Sequence, residues 1–128
     1  MNLNSSSEDY VLTTILRRIP CEVTMSAARA VWLDQETADR IGSDTLQILA
    51  KASMANLKFF NGKTPKCLVG GLFYLLGYRY NVPVTQTEIA DLLCTTEVSV
   101  RKSYKNWLNE FPQFFTDLTL KIWNRIEK

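Results

Sequence analysis

Histidine occurs nowhere in the 128 residues. Its absence removes the side chain that most often serves as general acid or base near neutral pH, the base of Ser-His and Cys-His nucleophile pairs, and the commonest zinc ligand. An enzyme is not excluded, but its usual tools are missing, and the chain reads as a non-enzyme with no cofactor and no metal. Cysteine is scarce as well. Cys21, Cys67 and Cys94 are odd in number and widely spaced, which fits neither a disulfide framework nor a Cys-x-x-Cys metal site. They are expected to be reduced, mostly buried small hydrophobes. Long apolar runs are also missing: the longest, residues 67–80, is too short for a membrane span and is interrupted by glycines. The N-terminus lacks a basic segment followed by an apolar core, so no secretory signal is expected. A cytoplasmic protein without membrane partners is the simplest reading.

Charge of one sign is short too, since the formal net charge is only +2. It is unevenly placed: residues 61–128 hold 9 Lys and Arg against 6 Asp and Glu. That asymmetry permits a polyanionic partner without proving one.

What is present is helical spacing. Residues 1–6 read as a polar tail, and residues 7–128 as one domain. From Ser7, an N-cap candidate, the apolar residues Val11, Leu12, Ile15, Leu16 and Ile19 recur at helical spacing until Pro20 stops the helix. Residues 24–60 are helical in character, through Met25, Ala28, Val31 and Trp32, then Leu46, Leu49, Ala50, Ser53, Met54 and Leu57. Gly42 with Ser43 and Asp44 is either a stop and a new cap or a glycine inside one longer helix. Asn61-Gly62 suits left-handed backbone, and Thr64-Pro65 opens the next helix as cap and first-turn proline. That helix, about 65–80, is apolar on nearly every side and is therefore expected at the centre of the fold. Gly70, Gly71 and Gly77 within it imply close approach of neighbouring helices, or a kink. Tyr74, Tyr78, Tyr80 and Arg79 are able to line a pocket, although aromatic residues on a central helix usually form core. After Pro83, Thr85-Gln86-Thr87-Glu88 is a capping box with Val84 and Ile89 placed as a hydrophobic staple. A last helix is expected at 116–126, with Leu118, Ile122 and Ile126 on one face. No strand pattern competes, so the fold class is all-α.

Residues 85–108 have the spacing of a helix-turn-helix. Ala90 takes the small position in the first helix, Cys94 stands where glycine is commonest, and Val100 is the buried aliphatic ten residues after Ala90. The second helix then carries two stripes. Val100, Tyr104, Trp107, Leu108 and Phe111 form a core stripe, while Val98, Arg101, Lys102 and Lys105 fall on the other side. Such a face suits the major groove of double-stranded DNA. Arg101 can bond a guanine edge, Val98 can pack on a thymine methyl, Lys102 and Lys105 can meet phosphates, and Thr95, Thr96 and Ser99 add hydroxyls at the groove end. A solvated charged face fits the same pattern.

The order GKTP, apolar helix, TQTEIADLL, TEVSVRKSYKNWL resembles the cyclin-like repeat of the transcription factor IIB family, archaeal factor B included, and its C-terminal repeat most of all. The likeness is best over residues 62–111. It implies a cyclin-like five-helix bundle around its third helix, with extra terminal helices, and a helix-turn-helix that reads a promoter element beside the TATA box. The family's base-contacting valine and arginine match Val98 and Arg101. A TATA-binding protein or other transcription machinery is the implied partner, a homodimer is possible, and the location is nucleoid-associated if the source is archaeal. The chain departs from full-length members in having one repeat and no cysteine pair for a zinc ribbon. An adapter that holds partner helices without reading DNA is the alternative.

Overall fold

The computed structural model describes residues 21–118. They form five α-helices and no strand: α1 (Cys21–Val31), α2 (Gln35–Ala55), α3 (Pro65–Arg79), α4 (Gln86–Leu92) and α5 (Glu97–Glu110). Short 3-10 turns lie at Leu57–Phe60 and Pro112–Phe114. The all-α five-helix bundle is thus present. The polar tail at 1–6 and the helix expected from Ser7 to Ile19 lie outside the described residues, as does most of the one expected at 116–126, of which 116–118 form a turn.

α3 is the centre. Thr64 caps it by accepting the Cys67 N–H at 3.4 Å, Pro65 fills its first turn, and every residue from Leu68 to Gly77 is buried. It packs on α2, α4 and α5 at once, which is the geometry that lets a helix be apolar on all sides. Full burial of Leu72, Phe73, Leu75 and Leu76 contributes about 1.5–3 kcal/mol each. Two of its glycines mark close approaches and not a kink. A Cβ on Gly71 would sit 2.8 Å from the backbone nitrogen of Tyr104 on α5, and one on Gly77 would sit 3.2 Å from the Val82 carbonyl oxygen.

The C-terminal end of α3 is closed by Asn81, whose φ of 58° lets its N–H reach the Tyr78 oxygen at 3.2 Å and Val82 N–H reach Gly77 oxygen at 2.8 Å. Trp32 then donates its indole N–H to the Val82 carbonyl at 2.9 Å, tying α1 to that turn. Arg79 makes a two-pronged pair with Asp117 at 3.0 and 3.1 Å and also donates to the Phe114 carbonyl, which clamps residues 112–118 to the same end. Arg79 is therefore a structural tie, and not the pocket group that its neighbourhood to Tyr78 and Tyr80 suggested.

Several expectations need correction. Residues 24–60 are not one helical stretch: Leu33 is almost fully exposed and Asp34 starts α2, accepting the Thr37 N–H at 3.1 Å. Of the two readings left open at Gly42, the glycine inside a longer helix holds: it lies inside α2, the space of its missing Cβ filled by the Met25 thioether of α1, and Asp44 is no cap but the acceptor of the Tyr80 hydroxyl. The inward stripe of α2 is Ala38, Ile41, Thr45, Ile48, Leu49, Ala52 and Ser53, while Met54 and Leu57 are exposed. Of Asn61-Gly62 only Gly62 is left-handed, with φ of 74°. Cys67 is half-buried and Cys94 exposed, so neither is a core hydrophobe.

Candidate nucleic-acid interface

Thr85 starts α4 by accepting the Glu88 N–H at 3.1 Å, and Val84, in the staple position, packs against the core that holds the fully buried Ile89. The helix ends after Leu92 because Cys94 turns left-handed at φ 54°, which brings Thr95 N–H to the Ala90 oxygen at 2.9 Å. A cysteine there carries the Cβ strain that glycine avoids. Cys94→Gly is accordingly expected to stabilise the fold by roughly 0.5–1 kcal/mol, read from a urea melt. Asn81→Gly, at the corresponding turn after α3, should gain less because asparagine tolerates that backbone. A Cys94→Gly variant no more stable than the parent would show the turn to be unstrained.

Thr96 then caps α5, accepting the Ser99 N–H at 3.1 Å and donating its hydroxyl to Ser99 Oγ at 2.8 Å. Both hydroxyls thus build the start of α5, and the Thr95 hydroxyl, on a half-buried residue, lies 3.9 Å from the Cys67 sulfur. The two stripes separate as the sequence indicates. Val100, Tyr104, Trp107 and Phe111 are 2% exposed or less, whereas Val98 is 65% exposed and Arg101, Lys102 and Lys105 are all exposed. Among the described residues, neither Lys102 nor Lys105 has a carboxylate within ion-pair distance.

Arg101 differs. It pairs with Glu97 one turn earlier at 3.4 Å, and its Nε donates to the Gln86 side-chain oxygen of α4 at 3.2 Å. Gln86 and Arg101 share an open cleft of about 440 Å³ with Tyr74, Tyr78 and Pro83. Burial pushes the Tyr74 phenol above its ordinary range; its 3.5 Å contact with the Tyr78 hydroxyl adds to this, and the Gln86 side chain opposes it as a hydrogen-bond donor. A second cleft, about 320 Å³, runs from Lys63 and Thr64 to Ser99, Lys102 and Asn106, so Lys102 flanks the start of α3. Lys63 is itself engaged, lying over the Phe59 ring and donating to the Phe59 carbonyl.

Gln86 is the residue that sequence reasoning passed over. The capping signal at Thr85 and Glu88 drew attention to the helix start, but nothing in the pattern marks a partner for a side chain 15 residues later. Among the described residues no three Cys, Asp or Glu side chains converge as metal ligands would, and no helix is long and apolar enough to cross a membrane. No family model matches the chain, and no curated protein or solved structure matches it either, so the site is read from its own geometry.

Proposed function

We propose that this chain is a DNA-binding, transcription-associated protein of the factor IIB cyclin-repeat type, which reads promoter duplex through α4 and α5 and is not an enzyme. The observation that carries the reading is the division of α5. One side is locked into the core by Val100, Tyr104 and Trp107, and the other presents Val98, Arg101, Lys102 and Lys105 to solvent. A face that mixes one apolar group with cations, two of them in no ion pair among the described residues, matches the thymine methyl, guanine edge and phosphates of a major groove. Val98 and Arg101 are the base readers in this scheme, Lys102 and Lys105 the phosphate contacts. Thr95, Thr96 and Ser99 act chiefly by shaping the helix start.

Three cations neutralise few phosphates, so the isolated chain binds weakly and gains specificity from a second copy or from a TATA-binding protein already seated on the DNA. Anisotropy titrations across a salt series test this. Lys102→Ala and Lys105→Ala should each reduce the log K versus log salt slope by about 1. Arg101→Ala should cost about 1–3 kcal/mol of discrimination at one base pair of a site selected from random duplexes, with and without a TATA-binding protein. Low-salt binding unchanged by Arg101→Ala and Lys102→Ala would sink the reading.

A further inference from the structure

We propose that Gln86 is a positioning residue for Arg101: its amide oxygen, fixed at the start of α4, holds the guanidinium so that its outer edge points out of the α5 face toward a base. The inference rests on the DNA-reading proposal and names what makes that site selective.

An arginine on an exposed helix face samples many rotamers, and a bidentate contact must freeze one of them. Here part of that ordering precedes binding. Gln86 Oε1 accepts from Arg101 Nε at 3.2 Å, and the Glu97 carboxylate accepts from an Nη2 hydrogen at 3.4 Å. A guanidinium has five N–H donors in a rigid fork. With Nε–H given to Gln86 and one Nη2 hydrogen to Glu97, two donors on Nη1 and one on Nη2 remain; once DNA displaces the exposed Glu97, the outer Nη1–Nη2 pair matches two acceptors on a guanine.

The two partners are not equivalent. Glu97 is on α5 itself, about half exposed, and forms an ordinary i,i+4 surface pair that approaching phosphates can displace. Gln86 comes from the other helix of the motif and is half-buried. Its oxygen serves Arg101, which leaves its amino group to donate, and Tyr74 lines the same cleft. Tyr74 is only 6% exposed and stacks on Tyr104 of α5 with ring centroids 4.6 Å apart. The acceptor of the guanidinium thus sits on α4, in one cleft with the aromatic packing between α3 and α5. A neutral acceptor is also the right chemistry. It orients the cation without cancelling its charge, whereas a carboxylate at position 86 would join Glu97 in neutralising Arg101 and would repel phosphates.

The test uses the full chain, a duplex site selected from random sequence, and the same site changed at the base pair that Arg101 discriminates. Gln86→Ala should lower the ratio of the two affinities about tenfold, leaving the salt slope and melting temperature near those of the parent. Gln86→Glu should weaken binding to both duplexes. In an Arg101→Ala background, Gln86→Ala should have no further effect on the ratio, which a merely structural role would not produce. The Arg101 Nε–H, followed by NMR without DNA, should exchange more slowly with water in the parent than in Gln86→Ala. Discrimination that falls with Arg101→Ala but survives Gln86→Ala overturns this inference alone; discrimination indifferent to Arg101 overturns the DNA reading and this inference with it.

Discussion

Trp107→Ala is expected to destabilise the fold by about 3–5 kcal/mol, a large share of the roughly 5–15 kcal/mol that holds a domain of this size together. Trp107 is fully buried on the inner side of α5. Its ring lies 4.8 Å from Phe59, 5.6 Å from Phe111 and 6.2 Å from Phe60, centroid to centroid, so it joins α5 to the turn after α2 and to the segment that follows α5. Its indole N–H donates to the Leu68 carbonyl of α3 at 3.1 Å. Removing the ring leaves a cavity among aromatic neighbours too large to collapse by side-chain rotation alone. Leu68 sits in the first turns of α3, where its carbonyl is in reach of the helix ladder, so the lost hydrogen bond is the smaller part of the cost. Trp107→Phe separates the two contributions: it keeps most of the volume and should cost about 1–2 kcal/mol. Urea unfolding measures both, with an unchanged m-value confirming that the comparison is between like states. A Trp107→Ala cost below that of Trp107→Phe would mean that this ring does not anchor α5. The consequence for the proposed DNA contact is direct, because the exposed face of α5 can only be as well placed as the helix that carries it.

The parts of the fold that were legible in the sequence are those with local chemical signals. α3 is bounded by Thr64-Pro65 and by Asn81, and its apolar circumference has no other explanation than enclosure. α4 and α5 were readable because each begins with a threonine that accepts a hydrogen bond from the N–H three residues on. The left-handed turn at Cys94 was visible from its position relative to Ala90, although cysteine is not the residue that conformation favours.

The break between α1 and α2 was hidden because neither glycine nor proline marks it. Asp34, followed by Glu36 and Thr37, was the available signal, and the apolar spacing that runs up to Trp32 masked it. Burial along α2 does not follow the apolar spacing to its end. Met54 and Leu57 continue the apolar period, but the helix ends at Ala55 and the following turn takes Phe59 inward in their place. At the candidate site the same division holds. Which residues of α5 face outward follows from helical period alone, and Val98, Arg101, Lys102 and Lys105 are where that period puts them. What Arg101 touches depends on how α4 crosses α5, a tertiary property, so the Gln86 contact was out of reach.

Gly71→Ala should be the second severe substitution, and Gly70→Ala beside it mildly stabilising, although helix propensity favours both changes equally by roughly 1 kcal/mol. An ideal Cβ on Gly71 would lie 2.3 Å from Ser103 Oγ, 2.8 Å from Ser103 Cβ and 2.8 Å from the Tyr104 backbone nitrogen. The hydroxyl could rotate away; the Cβ and the backbone nitrogen belong to α5 and move only if the helix moves. Alanine therefore forces α3 and α5 apart along the contact that also seats Tyr104 and Trp107. Overpacking of this kind costs about 1–3 kcal/mol in adaptable cores, and more where backbone is the obstacle. At position 70 the nearest atoms are side-chain methyls of Leu93 and Val100 at 3.4 Å, an ordinary contact distance. A melting temperature lower by several degrees for Gly71→Ala, against one equal to or a few degrees above the parent for Gly70→Ala, is the expected pair of results. Ser103→Gly should rescue Gly71→Ala only in part, since it removes the Cβ and hydroxyl clashes but leaves the Tyr104 nitrogen in place. The favourable coupling in that double-mutant cycle is the decisive number. If the two substitutions simply add, α3 and α5 are not in the close contact that positions α5.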